Sequence, residues 1–372
     1  MSDNVVNDLR TRLLESLPIW YPDLNHGDFS LINIQEKHFR WSQHFMYKIR
    51  DERGYCEPMI LVKLSRPLST GGRSQIDIRP SYNALSLEYQ ALSLLHEHLG
   101  GNKIEGITAV CPLACFSDID ALVLEYMPGF NLHALLLDAG RPWAKQSVVR
   151  ATANADYRVG RLLSAIHHIE QGDYPRKVPF NGEEYNQRLQ EKSETLLSMV
   201  SGEYAHKRLF LVKQAVHELV SELQENIIVS YLHSDFNPDN LVQLPNGRVY
   251  TIDTTLHQIG PVEDDIAKFL VGVDTLKQKV LVGSLVIRSS TLDVVKQSFL
   301  NGYRAHAQFS SRILLLSRFL ALIQRWIEVL SVLALKAPVI TTSAIQRIRI
   351  NPFMLTNLDH IWVDIQNEWQ KI

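Results

Sequence analysis

Cysteine is scarce in this chain, which has only Cys56, Cys111 and Cys115 in 372 residues. So odd and sparse a set argues against a disulfide framework and favours reduced thiols, as in a cytoplasmic protein. Cys111 and Cys115 have the spacing of half a metal site, but no second pair of cysteines or closely spaced histidines follows. We therefore predict a cytoplasmic protein and expect no zinc site.

An excess of basic residues is lacking as well, because 38 lysines and arginines stand against 40 acidic residues for a net charge of −2. Nucleic-acid binding is driven by clustered lysine and arginine side chains that release counterions. The composition gives no electrostatic reason to expect a nucleic-acid partner. Any site for a polyanion must be local.

Long uninterrupted apolar runs are absent. The first residues carry acids before their first base and no continuous apolar segment, so they are predicted to form a helix over residues 1–20 and not a secretory signal. The most apolar region, residues 312–340, is interrupted by Arg318, Gln324, Arg325 and Glu328. It predicts an amphipathic helix that packs in a core, and no transmembrane segment is expected.

The length of the chain favours two compact cores over one. Strand patterns occur at residues 29–34, 45–50, 58–64, 107–116 and 121–125, with one helical pattern beginning at Tyr82 and an exposed loop at 71–80. Most of the remainder has helical periodicity. We predict an α+β chain with an N-terminal helix at 1–20, a strand-rich unit at 21–127 and a larger, mainly helical unit at 128–372.

Two segments share a histidine, an aspartate two residues on and an asparagine five residues after that: HGDFSLIN around Asp28 and HSDFNPDN around Asp235. Phosphoryl transfer from a nucleotide needs a carboxylate near the acceptor hydroxyl, oxygen ligands for Mg²⁺ and a cation on the phosphates. No carboxylate on a following strand accompanies Asp28, and Asn33 falls within a predicted strand. Asp28 is therefore predicted to be a turn or cap residue.

The second segment has the required partners. Asn240 lies beyond a proline-bearing loop, and Asp253 follows on the next predicted strand, so an amide and a carboxylate can reach one metal ion. We predict that Asp235 orients or deprotonates the acceptor hydroxyl, that Asn240 and Asp253 hold Mg²⁺, and that His233 braces the loop.

The joined series HSDFNPDN, TID, Gly260-Pro261 and DDIAKFL is similar to that of the aminoglycoside phosphotransferase and choline kinase superfamily, a branch of the protein-kinase-like fold. Asp265 follows Asp253 by twelve residues, as in that pattern. The resemblance implies a bilobal α+β fold with a small antiparallel-sheet lobe, one embedded helix and a larger helical lobe. It also implies ATP, or another nucleoside triphosphate, and Mg²⁺ as cofactors.

Upstream residues take their roles from the same resemblance. Lys63 near the end of a strand and Glu88 on the following helix match the pair that holds the nucleotide phosphates, although lysine and glutamate are also ordinary surface residues. Glu125, Tyr126 and Met127 fall where the family offers backbone groups to adenine, although a strand before Pro-Gly can be a plain linker. We predict Lys63, Glu88, Glu125, Met127 and Ser42 as nucleotide-binding residues.

The sequence departs from the family pattern at Ser234, in the turn between the first two strands, and at Thr254, where an aromatic residue is common. Ser234 replaces a usual glycine, and the turn HFRWSQHF that would cover the phosphates has Ser42 as its only small residue. Asn237 stands where protein kinases that act on Ser or Thr usually carry lysine, and no activation segment separates Asp253 from Asp265. A small-molecule hydroxyl is favoured over a protein substrate by Asn237 and by the short span between Asp253 and Asp265.

The sequence therefore predicts an O-phosphotransferase that acts on a small hydroxyl compound such as a sugar, an amino alcohol or an aminoglycoside. Two alternatives stay open at this point. One is a nucleotide-binding pseudokinase or regulatory module that does no turnover, since fold alone is no proof of activity. The other is a kinase of a lipid-linked or polymeric glycan, suggested by the apolar helix at residues 313–335.

Overall fold

A computed structural model describes residues 3–22, 29–38, 42–51, 54–65, 84–101, 103–276, 287–336, 345 and 349–371 of the chain. Asp28 and the loop predicted at residues 71–80 lie outside the described residues. The chain divides into two compact units, Met1–Gly129 with Leu244–His257, and Phe130–Gln243 with Gln258–Ile372. The segment Leu244–His257 is thus part of the first unit, which the predicted ranges did not anticipate.

The first unit is built on a five-stranded antiparallel sheet with the strand order β1-β2-β3-β5-β4. Its elements are α1 (Asp3–Trp20), β1 (Ser30–His38), β2 (Ser42–Asp51), β3 (Gly54–Ser65), α2 (Ala84–Leu99), β4 (Pro112–Phe116) and β5 (Ala121–Tyr126). The predicted strands and the helix between β3 and β4 are therefore present.

One face of this sheet is buried under α1. Side chains alternate between the two faces of a strand, and the face toward α1 is apolar. The core here consists of Leu9, Leu13 and Leu17 of α1 with Leu31, Phe45, Tyr47, Ile49, Ile60, Val62, Leu64, Ala121 and Val123 of the sheet. Each fully buried leucine of α1 contributes roughly 2 kcal/mol by leaving water, so α1 is an integral part of this unit.

The opposite face of the sheet carries the remaining residues of the alternation. His44 and Met46 of β2 lie opposite Lys63 and Leu61 of β3. Met46 and Leu61 are only partly buried. This face thus presents both apolar side chains and the lysine Lys63.

The strand predicted at residues 107–116 is shorter than expected, because β4 begins at Pro112. The backbone of the preceding segment bonds elsewhere. Thr108 N donates to Val249 O at 3.0 Å and Val249 N donates to Gly106 O at 3.1 Å. The backbone groups that would extend β4 are therefore used to attach the segment Leu244–His257 to the first unit.

The second unit is mainly helical. Its helices are α3 (Leu132–Gly140), α4 (Gln146–His167), α5 (Gly182–Met199), α6 (Glu203–Ser221), α7 (Val262–Asp274), α8 (Ser289–Arg304), α9 (Ser311–Lys336) and α10 (Asn351–Trp369). The strands along the same stretch of chain are β6 (Phe130–Asn131), β7 (Arg176–Pro179), β8 (Asn226–Leu232), β9 (Leu241–Gln243), β10 (Val249–Thr251) and β11 (Gln258–Pro261), of which β10 lies in the first unit. Strands β7, β8 and β11 form an antiparallel sheet with β8 in the centre.

Helix α9 is the long amphipathic helix predicted from the apolar region. Leu316, Phe319 and Trp326 are fully buried, and they pack in one core with α5, α6 and α10. No helix among the described residues is long and apolar enough to cross a membrane.

Helices α4 and α8 approach each other closely because each has a glycine at the contact. A Cβ on Gly302 would lie 1.9 Å from the carbonyl oxygen of Tyr157, and one on Gly160 would lie 2.0 Å from that of Phe299. Any larger residue would push the helices apart. This crossing fixes α4 and α8 beside each other, and each of them supplies a residue to the buried network described below.

Candidate active site

Lys63 is the centre of a buried charge cluster in the first unit. Its Nζ atom lies 2.5 Å from Oε1 of Glu88 on α2, and it also donates to Oδ1 of Asp253. The side chains of Lys63 and Glu88 are 4% and 10% exposed, whereas that of Asp253 is 44% exposed. One cation thus joins a buried carboxylate to a carboxylate that solvent reaches.

The pKa directions in this cluster follow from burial and charge. Burial alone would lower the pKa of Lys63, but the nearby carboxylates of Asp253 and Glu88 outweigh it and raise the pKa. Burial raises the pKa of Glu88, and the Lys63 ammonium opposes that shift. Lys63 therefore stays charged.

Asp253 is held in an unusual backbone conformation just after β10. Its φ angle of 58° lies in the left-handed region, which non-glycine residues seldom occupy. Such a conformation costs of order 1 kcal/mol and persists only where surrounding contacts fix it. This backbone conformation agrees with the role predicted for Asp253, which stays a prediction.

The loop after β8 in the second unit is fixed from behind by Asp265 of α7. His233 N and Ser234 N donate to its two carboxylate oxygens at 2.7 and 3.0 Å. Asp265 is fully buried, and Nε2 of His167 lies 3.3 Å from Oδ2. Burial would raise the pKa of Asp265, but the His167 hydrogen bond and the charge of Lys268 outweigh it and lower the pKa. The loop backbone is therefore attached to a buried carboxylate.

A buried network continues from this carboxylate into the helices. Nδ1 of His167 lies 2.9 Å from the hydroxyl of Tyr303 on α8, and both side chains are about 1% exposed. Lys268 on α7 donates to the carbonyl oxygen of Ser234. Helices α4, α7 and α8 thus all contribute to the position of the loop.

Ser234 has a backbone conformation that favours glycine. Its φ angle is 71°, which glycine adopts without steric cost and serine does not. The backbone N–H of Ser234 is one of the two that donate to the Asp265 carboxylate. The loop therefore keeps the left-handed turn even though the sequence lacks the glycine.

Two amide side chains orient the carboxylate of Asp235. Asn237 Nδ2 donates to Oδ1 at 2.7 Å, and Asn240 Nδ2 donates to Oδ2 at 2.8 Å and to the Asp235 carbonyl oxygen at 3.0 Å. Asn237 also caps the 3₁₀ turn Pro238–Asn240 by accepting from Asp239 N at 2.9 Å. A short, capped turn thus returns Asn240 to the aspartate five residues before it.

The environment of Asp235 combines solvent access with partial desolvation. Asp235 as a whole is exposed to solvent. Protein nevertheless surrounds its carboxyl group closely enough that burial raises the pKa of Asp235 to about 6. The hydrogen bonds from Asn237 and Asn240 act in the opposite direction and lower this pKa. An acidic group that is reachable and has a pKa near neutrality is suited to proton transfer.

The donor set of the two predicted metal ligands fits a hard divalent cation. Asp253 has a partly exposed carboxylate, and the amide nitrogen of Asn240 donates to Asp235. Carboxylate and amide oxygens are ligands that Mg²⁺ and Ca²⁺ bind in proteins. Among the described residues, no group of three or more His, Cys, Asp or Glu side chains could hold a metal ion. The assignment of Asn240 and Asp253 to Mg²⁺ stays a prediction.

Solved structures were compared with the chain, and several are similar over nearly its whole length. A choline kinase from Cryptosporidium parvum Iowa II is 11% identical, covers 98% of this chain and 97% of its own, and has a TM-score of 0.56. A glucosamine kinase in one crystal form is 14% identical, covers 96% of this chain and 84% of its own, and has a TM-score of 0.55. No family model matches the chain, and no curated protein matches it in sequence.

The chain has the fold of these kinases. The predicted α+β, kinase-like fold is confirmed. At these identities the likeness concerns the fold. The roles of individual residues stay predictions that the local geometry supports to different degrees.

The predicted adenine contacts of this kinase fold lie at the end of β5. Glu125 N donates to Cys111 O at 2.9 Å, and the carbonyl oxygen of Met127 accepts from the hydroxyl of Tyr250 at 2.8 Å. Ser42 begins β2, and its Oγ lies 3.0 Å from Nε2 of His44. The assignments of Glu125, Met127 and Ser42 to the nucleotide remain predictions.

Sequence reasoning missed several residues that the structure places beside the predicted ones. His167 and Lys268 hold Asp265 and the loop, and His44 lies next to Lys63. A lone histidine at the end of a helix gives no signal of such a role. For His44 the sequence did give a signal. Phe45 is an apolar residue expected to face the core, and alternation along a strand then places the adjacent His44 on the other face of the sheet.

Proposed function

We propose that the chain is an ATP- and Mg²⁺-dependent O-phosphotransferase that phosphorylates a hydroxyl of a small molecule such as a sugar, an amino alcohol or an aminoglycoside. The observation that carries this proposal is the loop of Asp235, whose carboxylate is oriented by two amides and whose backbone is anchored to Asp265. The kinase fold and the Lys63 cluster support it.

In this proposal the first unit binds the nucleotide. Lys63, held by Glu88, donates to the phosphates, which is the role that a buried, charged lysine on a rigid strand can perform. Met46 and Leu61 on the same sheet face offer an apolar surface for the base, and the backbone of Glu125 and Met127 lies at the end of β5. Nucleotide specificity between ATP and GTP would depend on these backbone groups.

The second unit supplies the loop that receives the acceptor. Asp235 accepts a hydrogen bond from the substrate hydroxyl and takes its proton as the phosphoryl group transfers, while Asn237 and Asn240 keep the carboxylate directed. His233 is buried, and its ring packs edge-on against Phe236 with centroids 5.3 Å apart, which suits a bracing role. Asn240 and Asp253 belong to different units, so their sharing of one ion is part of the proposal.

A divalent cation held by Asn240 and Asp253 would neutralise charge on the transferring phosphate. The contact between Asp253 and Lys63 keeps this carboxylate beside the predicted phosphate site. The amide nitrogen of Asn237 donates to Asp235. Protein kinases that act on Ser or Thr usually have a lysine at the position of Asn237, and this difference favours a small acceptor.

The test is a screen of hydroxyl compounds for stimulated ADP release, followed by variants of the substrate that is found. Asp235→Asn keeps the shape of the side chain and is expected to lower kcat by roughly 10²- to 10⁴-fold. Its effect on the KM for ATP should be small, since phosphoryl transfer and not nucleotide binding is affected. Lys63→Met is expected to weaken ATP binding. Undiminished turnover in Asp235→Asn would contradict the assigned chemistry.

The same experiments separate the alternatives. Binding of ATP and Mg²⁺ with no hydrolysis and no acceptor would indicate a pseudokinase. Turnover only with a lipid-linked or polymeric glycan would shift the acceptor class and leave the roles of Asp235 and Lys63 unchanged.

A further inference from the structure

Three basic residues form a row across the first three strands of the sheet. His44 on β2 lies directly opposite Lys37 on β1 and opposite Lys63 on β3. Directly opposed residues on neighbouring antiparallel strands point to the same face. Lys37, His44 and Lys63 therefore project from one face, and this set is called the basic row below.

A β-bulge in β1 determines that a lysine ends this row. The pairing shifts between Asn33 and Gln35, so Ile34 is the additional residue. If the pairing of Asn33 with Tyr47 continued without this shift, Glu36 would lie opposite His44. Instead Glu36 accepts a hydrogen bond from Gln43 on the opposite face. The bulge thus removes a carboxylate from the row and replaces it with an ammonium group.

We propose that the basic row is the surface of the first unit that binds the polyphosphate of a nucleoside triphosphate, with Lys37 and His44 as binding residues in addition to Lys63. This inference rests on the proposed function. It assigns to side chains the contacts that a glycine-rich turn would make through its backbone, since the turn HFRWSQHF between β1 and β2 has no glycine.

The hydrogen-bond chemistry of Ser42 and His44 suits this role. The hydroxyl and the neutral imidazole share one bond of 3.0 Å, and together they carry two polar hydrogens. In either tautomer of His44, only one of these two hydrogens is used in the bond between the two side chains. Burial and the charge of Lys63 lower the pKa of His44 to about 4, so at neutral pH it acts as a hydrogen-bonding group between two cations.

Charge and distance also fit a chain of phosphates. Neighbouring strands lie about 4.8 Å apart, so the row spans roughly 10 Å between Lys37 and Lys63. Lys37 is exposed, and it forms no ion pair within the described part of the chain. Glu88 and Asp253 both pair with Lys63, which leaves the Lys37 end of the row positive.

Calorimetric titration of the full chain with ATP, ADP and AMP in the presence of Mg²⁺ tests the basic row. Lys37→Ala is expected to weaken ATP binding about fivefold, as for a partly solvated charge contact. His44→Ala is expected to weaken it about tenfold, as for a lost hydrogen bond to a charged group, and His44→Gln less. Each loss should be larger for ATP than for AMP, because AMP lacks the outer phosphates.

Lys48→Ala is the matched control, because Lys48 lies on the same strand and face as His44 but opposite Ile32 and Met59. Its ATP affinity is expected to stay within twofold of the unmodified chain. The inference is overturned if Lys37→Ala and His44→Ala also stay within twofold while Lys63→Met weakens ATP binding, or if their losses are equal for ATP and AMP. If Lys63→Met too leaves ATP affinity and turnover unchanged, the proposed function itself fails. Because Lys37 is exposed, Lys37→Ala is not expected to disturb the folding of the core.

Discussion

Glu263→Gln is expected to stabilise the protein increasingly as the pH rises. Glu263 lies in the first turn of α7, the helix that carries Asp265 and Lys268, and it is 1% exposed. Its Oε1 atom accepts from Ser310 N at 2.7 Å, whereas Oε2 has no hydrogen-bond partner in the described part of the chain. Burial raises the pKa of Glu263 to about 7, with Asp264 and Glu225 adding to the rise.

The magnitude follows from linkage between protonation and folding. Because the pKa in the folded state is raised, the protonated carboxyl is favoured there, and stability is lost as the pH rises from the unfolded pKa of about 4.5 toward 7. A shift of this size corresponds to roughly 3 kcal/mol once both states are ionised, at about 1.4 kcal/mol per pKa unit. Glutamine stays neutral, so the variant should escape this loss.

Urea unfolding of both proteins at a series of pH values between 5 and 8 measures the effect. The difference in unfolding free energy between variant and unmodified chain should grow by roughly 2 to 3 kcal/mol over this range. Glu203→Gln, at an exposed position in the first turn of α6, is the matched control, and the difference should grow more with pH for Glu263→Gln than for this variant. A flat difference for Glu263→Gln would refute the reasoning, since it would mean that Glu263 ionises equally in both states.

Three further predictions concern the loop and its supports. Ser234→Gly should raise the unfolding free energy by about 1 kcal/mol in chemical denaturation, because φ of 71° suits glycine; a loss of stability would show that the serine hydroxyl matters more than the backbone. Asp265→Asn should lower the unfolding free energy by roughly 2 to 3 kcal/mol, because one of the two loop amides loses its acceptor. Hydrogen exchange at the backbone amides of His233 and Ser234 should also become faster. Unchanged exchange would contradict the anchoring role of Asp265. Gly302→Ala should lower the unfolding free energy by roughly 3 kcal/mol in thermal or urea unfolding, because the added Cβ would overlap the Tyr157 carbonyl. A Tm equal to that of the unmodified chain would disprove the close crossing of α4 and α8.

Much of the fold was predictable because its local signals agree. The alternation in β2, β3 and β5 and the helix between β3 and β4 could be predicted from apolar spacing, and the turn around Asp235 from its proline and asparagine residues. Strand β4 was predicted five residues too long, because apolar residues 107–111 give the same signal whether their backbone bonds a sheet neighbour or the distant segment around Val249. Periodicity reports which side chains are buried and not which backbone groups pair.

The candidate site was predictable where it depends on residues close in sequence. Asp235 and Asn240 are five positions apart, and the structure brings them together. The support from His167 was not predictable, because it depends on how α4, α7 and α8 pack. Lys37 was missed for a different reason: without the bulge in β1, strand alternation assigns Glu36 to the position opposite His44, and nothing in the local sequence indicates where a strand will bulge.

The bulge in β1 also makes this edge strand tolerant of a change in chain length. Ile34 is the residue it absorbs, and 43% of its surface is exposed. Deletion of Ile34 would join Asn33 directly to Gln35, and every pair that β1 makes with β2 could form as before. A relative one residue shorter here could thus keep an identical surface, although a gap-free alignment of the two chains would place Glu36 of one under Lys37 of the other.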